Sequence, residues 1–324
     1  MNPIFLKNED QIDLFFRRGM EITDKTKHIA KLEHISYYRL KEFAKPYSVV
    51  TMYGEVPVLK YKDISFDDVV KRYYQDKNLR INLLHAIEKI EVSIKRNISY
   101  ILGKRYGAFG YLNFSLWANK NENSKFKLEK EQFYFKRDLL KVLSKSSMPD
   151  LANGNNLNED GFPSVWIATE ILMFGSLVHL ISLMSKRNQK ELAQFYNCTI
   201  KELLSWLKCL NFARNICAHN SNIIDIQLQT KPVVRKAWSK KYLYSVSDKS
   251  GNKVVTNRIS VIILIVITLV KEINNKYRWK PIRSNLASIC KDNDIIKADK
   301  NANLLGFANS RTALDLQSFS LGNL

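Results

Sequence analysis

Glycine and proline are scarce in this chain, at 11 and 7 among 324 residues. Both disfavour helix interiors, so their scarcity suits a mostly helical protein. Four cysteines (Cys198, Cys209, Cys217 and Cys290) form no CxxC pair, which argues against a disulfide framework and against a structural zinc site. Five histidines (His28, His34, His85, His179 and His219) are scattered, with no HExxH or comparable spacing, so no metal and no cofactor is expected. Long apolar runs are missing too. The most hydrophobic, ISVIILIVITLV from Ile259 to Val270, is flanked by Arg258 and Lys271 and falls short of the roughly 20 residues a bilayer span needs. A buried helix at the centre of a bundle is the better reading. The N-terminal MNPIFLKNEDQIDLFFRR has no long apolar core, so no signal peptide is read and a cytoplasmic location is expected. Acidic residues are also in deficit: 51 Lys plus Arg face 31 Asp plus Glu, a formal net charge of +20. Such a surface repels itself unless something anionic lies nearby, nucleic acid first and an anionic membrane second. The plain alternative is a basic protein with solvated lysines.

What is present is apolar periodicity. With 45% apolar or aromatic residues the chain can bury a sizeable core. Helices are expected over 10–18, over 24–37 with Ile29, Leu32 and Ile35 on one face, and from Phe66 to about Leu102, either continuous or with a break, with Gly103 and Gly107 ending the last. TMYGEVPVLKYKD (51–63) reads as a loop or hairpin. Residues 119–160 show little pattern: a solvated charged stretch, then an exposed loop. An apolar helix starts at Pro163 with Gly175 inside it. Another spans Ile200 to about Ala218, with Leu203, Leu204, Leu207, Leu210 and Ala213 on its apolar face and Asn220, Ser221 and Asn222 as its stop. The expected fold class is all-α: an N-terminal helical extension (1–50), a helical domain (51–280) and a short C-terminal appendage (281–324).

FARNICAHN (212–220) sets Arg214, Asn215, His219 and Asn220 on a helix otherwise destined for the core. Metal-free RNA cleavage needs a base for the ribose 2′-hydroxyl, a cation for the phosphate and help for the leaving oxygen. Histidine exchanges protons near neutrality. Arginine presents a fixed fork to phosphate oxygens. Asparagine can orient either group. Arg214 and His219 lie five positions apart, about 140° around an ideal helix. A second copy of the helix alongside would let them converge on one phosphate. By itself the spacing is weak, because an arginine near a helix end often only caps or snorkels.

The surrounding sequence is more specific. LKCLNFARNICAHNSNI (207–223) resembles the signature of the bacterial abortive infection (Abi) proteins of the AbiD/AbiF type, members of the HEPN superfamily. HISYYRLKEFAKPY (34–47), the stretch 76–113 beginning DKNLRINLL, PSVWIATEILMFGSLVHLI (163–181) and NANLLGF (301–307) are similar to further family blocks, in the same order. The resemblance covers nearly the whole chain. It implies a HEPN-like helical bundle, a homodimer that brings two motifs together, and metal-independent endoribonuclease activity in a toxin that halts phage-infected cells. Arg214 and His219 match the two defining positions, and Asn215 the polar residue after the arginine. RNA is the implied substrate. An RNA or an acidic protein would suit the charge as antitoxin, and no membrane partner is expected. The alternatives are a catalytically silent HEPN module that binds RNA and a basic helical protein on anionic membrane.

Other residues carry two readings each. Glu91 lies in the apolar row Ile87, Glu91, Ile94, Ile98 and needs a partner, either Arg80 or Arg214. It would then either hold Arg214 for function or form an ordinary ion pair between helices. Lys89, Lys95, Arg96, Lys104 and Arg105, with Tyr100, Tyr106, Phe109 and Tyr111, could follow an RNA backbone or be a solvated face over core aromatics. Trp166, Trp206 and Trp238 read as core, and His34, His85 and His179 as helix or cap residues with no partner pattern in the sequence.

Overall fold

A computed structural model describes residues 4–315 apart from Glu55 and Asn153. Residues 1–3 of the N-terminal stretch, Glu55 of the 51–63 segment and residues 316–324 of the C-terminal appendage lie outside the described residues. In chain order the elements are α1 (Asn8–Arg17), α2 (Lys25–Leu32), α3 (Tyr37–Ala44), β1 (Ser48–Tyr53), β2 (Val56–Tyr61), α4 (Phe66–Tyr106), α5 (Phe114–Trp117), α6 (Lys125–Leu143), α7 (Val165–Ile171) and α8 (Phe174–Leu183). Then come α9 (Lys186–Gln194), α10 (Ile200–Ala218), α11 (Lys236–Lys241), β3 (Ser245–Ser247), β4 (Lys253–Val255), α12 (Ile259–Ile273), α13 (Lys280–Cys290), α14 (Ile295–Leu305) and α15 (Ser310–Leu314). The fold is an all-α bundle. Its strands form two antiparallel hairpins, β1 with β2 in the register Ser48 to Tyr61, and β3 with β4.

The spine is α4, 41 residues long, or about 60 Å at 1.5 Å per residue. Ser65 and Asp68 open it with a reciprocal capping box. Gly107, at φ 74°, closes it in a conformation that side chains resist. Gly103 does not end the helix, as the sequence suggests, but lies within it. A Cβ there would meet the Trp166 ring at 3.2 Å and Val165 at 3.3 Å, so α7 crosses where α4 has no side chain. The first turn of α4 (Phe66, Val69, Val70) belongs to a smaller apolar cluster with residues from Ile12 to Ile64. From Leu79 onward α4 packs into the main core.

At the centre of that core sits α12, in which every residue from Ile259 to Val270 is buried. An apolar face all round demands neighbours on all sides, and α4, α10 and the stacked Trp206 and Trp238 rings, 5.4 Å apart, are part of that wall. The buried Thr268 hydroxyl donates to the Leu264 carbonyl at 2.8 Å. Residues of α13 to α15, among them Ile282, Leu286 and Ala313, join the same core. Gly306 ends α14 at φ 91°, and a Cβ there would lie 2.7 Å from that of Arg258. That contact fixes the NANLLGF block against the start of α12.

Two expected helices differ, and one helix is unexpected. Residues 24–37 are two elements, because Ser36 caps a new helix through the Arg39 N–H, just as Asp24 caps α2 through Lys27. The helix expected from Pro163 is broken at Leu172 and Met173, both extended, so that Leu172 is buried while Met173 stays 68% exposed. The patternless stretch 119–160 contains the 19-residue α6, which buries only Leu128 and Leu139 and so shows little periodicity.

Candidate functional site

The helix α10 is placed by its core side. Leu203, Trp206, Leu207, Leu210 and Ala213 are fully buried. Its N-terminus has a capping box: Glu202 N–H donates to the Thr199 hydroxyl at 3.2 Å, and Thr199 N–H to the Glu202 carboxylate at 2.8 Å. Glu202 also takes the Arg235 guanidinium at 2.8 Å. Burial would raise this carboxyl, but the hydrogen bonds from Arg235 and Thr199 hold it below its ordinary value. At the other end the helix stops in a Schellman turn. Asn220 is left-handed at φ 58°, and the Ser221 N–H returns to the Ile216 carbonyl at 3.0 Å. Asparagine, like aspartate, accepts that conformation more readily than most residues with a side chain, which is why the helix ends just past His219.

The motif residues leave α10 on two sides. Lys208, Phe212, Asn215 and His219 are exposed and fall within a band of about 60° at 100° per residue. Within the described residues, the side chains of Asn215 and His219 make no hydrogen bond to the rest of the chain. Arg214 lies on another flank, about 140° from His219. Its Nε is 3.6 Å from a Glu91 carboxylate oxygen, and it remains 37% exposed. Glu91 also has Lys95 Nζ at 3.9 Å. Of the two partners open to Glu91, the fold therefore chooses Arg214.

Arg80 is engaged elsewhere. Arg72, Asp76 and Arg80 recur every four residues on α4 and together bind the segment that follows His219. Arg80 Nε donates to Asp76 at 2.6 Å, and its Nη1 donates to the Asn220 side-chain oxygen at 2.8 Å. The other Asp76 oxygen accepts the N–H groups of Ile223 at 2.7 Å and Ile224 at 3.0 Å. Arg72 pairs with Asp225, and Asn222 donates to the same carboxylate at 2.8 Å. Asp76 is fully buried, and burial pushes its carboxyl above the ordinary value against these hydrogen bonds. Asp76 is the residue sequence reasoning missed. Its signal was a carboxylate and an arginine at i and i+4 inside an apolar row, Asp76 and Arg80 with Leu79 and Leu83.

The remaining expectations divide. Trp206 and Trp238 are core, but Trp166 is 51% exposed over Gly103. His85 and His179 do have partners, Tyr277 Oη at 2.9 Å and Glu131 at 2.8 Å. On the basic end of α4, Arg105 is taken by Asn188 and Glu191 and Tyr111 is buried. Tyr100 stays out, flanked by Arg96 and Lys104. No group of three or more His, Cys, Asp or Glu side chains among the described residues is placed to hold a metal ion. No described helix is long and apolar enough to cross a membrane.

Neither a curated protein nor a solved structure matches the chain. The model of the Abi-like protein family matches residues 30–225, from within α2 to the Asp225 that Arg72 holds, and so spans Asp76, Arg80, Glu91, Arg214, His219 and Asn220. With more than half its length in that match, the chain belongs to the Abi-like family, the abortive infection proteins.

Proposed function

We propose that this abortive infection protein is a metal-independent endoribonuclease of the HEPN type, related to AbiD and AbiF, and acts as a toxin through a composite Arg214/His219 site formed by two copies of α10. One observation supports this most. At the end of α10 an exposed imidazole without a hydrogen-bond partner among the described residues and a guanidinium already oriented by Glu91 lie within five residues of each other, on diverging flanks. One chain points them apart, and an isologous pair of helices packed through the Lys208–Phe212–Asn215–His219 face brings two sets into one cleft.

In that cleft His219 takes the proton of a ribose 2′-hydroxyl, and the 2′-oxygen attacks the adjacent phosphorus. Arg214 holds the phosphate oxygens as charge builds on them. The P–O5′ bond breaks, and the 5′-oxygen leaves with a proton from the His219 of the second copy. The products are a 2′,3′-cyclic phosphate and a 5′-hydroxyl. Asn215, on the same exposed face as His219, would orient the imidazole or the phosphate once the two copies meet, and Asn220 fixes where the helix ends. The net charge of +20 brings the protein to RNA and DNA alike, but only RNA carries the nucleophile. The charge also suits a restraining antitoxin that is RNA or an acidic protein.

The test is to incubate purified protein with end-labelled RNA and DNA in a chelator, with mass spectrometry of the fragment ends and light scattering of the protein. Cyclic-phosphate ends from RNA alone, made by a dimer and lost in His219→Ala, are expected. Ends with a 5′-phosphate that form only with added metal would overturn the assignment. The divergence of Arg214 and His219 within one chain favours a second reading, an RNA-binding module without catalysis. Tight RNA binding with no cleavage by the dimer would establish it.

A further inference from the structure

The outward face of α6 has no role in the site described so far. Phe126, Lys130, Phe133, Arg137 and Leu140 follow one another at spacings of four and three, so they fall along one line of the helix. All five are exposed, Phe126 at 76% and Phe133 at 65%. Tyr134, 40% exposed, lies beside the line with Arg137 4.8 Å and Lys130 5.9 Å from its ring centre. Lys125, Lys127, Lys130, Lys136, Arg137 and Lys141 face only Glu129, Glu131 and Asp138 on this helix. Large aromatic rings left in water on a folded surface mark an interaction site when they cluster. Here they alternate with cations on the same line.

That alternation selects the partner. A protein-docking face gathers its apolar side chains into one patch with charges at the rim. A membrane-surface helix sets a continuous apolar face against a basic one. A single nucleic acid strand offers bases and phosphates in turn, and matches rings interleaved with cations. The position fits as well. Tyr134 and Lys141 also form one wall of a groove of about 920 Å³ between α6 and α8, with an apolar floor that includes Phe135 and Leu172. Gly175 lines the same groove, and a Cβ there would stand 3.3 Å from the Asn211 amide of α10. Asn211 is one turn before Arg214. The groove thus starts beside the α6 stripe at Tyr134, and its α8 wall is the one that packs on α10 next to Arg214.

We infer that the outer face of α6 is a binding platform for single-stranded RNA, stacking unpaired bases on Phe126, Phe133 and Tyr134 while Lys130 and Arg137 hold the phosphates. It rests on the RNA-cleaving reading for its purpose, since it would deliver an unpaired segment toward Arg214, but it is tested without cleavage. The probe is a fluorescent 20-nucleotide oligouridylate, titrated against the full chain carrying His219→Ala.

Phe133→Ala and Phe126→Ala should each weaken binding at least about fivefold, the low end for loss of one stacked base. Phe133→Leu keeps the apolar area but removes the ring face, and should lose as much as the alanine. Lys130→Gln with Arg137→Gln should flatten the dependence of log affinity on log salt by about 0.7 for each phosphate no longer held. Binding of the Phe133→Leu protein equal to the parent's would overturn the inference, as would a parent protein that does not bind the probe. Loss of the dimer in light scattering, or loss of adsorption to phosphatidylglycerol vesicles with RNA binding intact, would also overturn it and assign the face to a second copy or to lipid. A wild-type protein that cuts no RNA, beside α6 variants that lose oligouridylate, would sink the nuclease reading and leave the platform standing. Cleavage by wild type with unaltered binding by the α6 variants would sink the platform and leave the nuclease reading standing.

Discussion

Helices α6 and α10 are each 19 residues long, and each begins with a hydroxyl cap. The first buries two residues and the second eight. The surface of α10 is what remains after the core has claimed the rest, so Asn215 and His219 are held where buried neighbours fix them. Chemistry needs that rigidity, because a reacting group misplaced by an ångström loses much of its effect. The surface of α6 is most of the helix, anchored by Leu128 and Leu139 and by the half-buried Phe135 against Tyr111 and Phe114. That suits sequence-tolerant binding, in which a base can stack on any of several rings.

The largest effect should separate the two helices by stability. Trp206→Ala should cost about 3–5 kcal/mol, the usual loss for a buried aromatic. Leu128→Ala in α6 should cost less, toward about 2 kcal/mol. Denaturant midpoints at unchanged m-value check this, and equal losses would break the contrast. Asp76→Ala should come next, at about 3–5 kcal/mol, because it leaves the buried Arg80 guanidinium without its carboxylate and releases the Ile223 and Ile224 N–H groups. Its hydrogen-exchange signature should appear first in residues 220–225, next to His219.

His219→Ala and Arg214→Ala should each lower RNA cleavage by at least about 10², the low end for a proton-transfer group, with thermal midpoints unchanged. His85→Ala and His179→Ala should leave the rate alone. Full toxicity of a folded His219→Ala protein would remove α10 from the chemistry.

The caps give a smaller effect. Thr199→Ala should cost about 1 kcal/mol of global stability, whereas Ser124→Ala should fray α6 locally. The pH dependence follows from Glu202, whose carboxyl sits below its ordinary value. A lowered folded value means its contribution is complete above the ordinary carboxylate range and is lost as pH falls through the lowered one. Amide protection factors, corrected for the intrinsic pH dependence of exchange, should therefore fall on acidification more at the start of α10 than at the start of α6, whose first turn carries no acid. Last, Phe133→Ala should shift stability by less than about 0.5 kcal/mol, as surface changes do, while RNA affinity falls.

The sequence by itself determined the elements whose burial is periodic or complete. Buried α12 could be read off ISVIILIVITLV, α10 off its leucines, and most of α4 off its isoleucines, because a helix facing a core must repeat its apolar residues at the helical period. Local chemistry determined the ends, through Asn220 as the left-handed stop of α10 and Gly107 as that of α4. The residue types of the candidate site, Arg214, Asn215 and His219, were also legible there, since their chemistry does not depend on neighbours. What a side chain pairs with, or packs against, was not legible, because contacts between distant segments leave no period in the chain. Only the tertiary structure gave Glu91 to Arg214 and tied Arg80 through Asp76 to the turn after His219. It kept Gly103 inside α4 because Trp166 crosses there, and it formed α6 with so little burial that its pattern was hidden. Burial repeats along a helix and writes itself into sequence, whereas an ion pair between α4 and α10 is decided by packing alone.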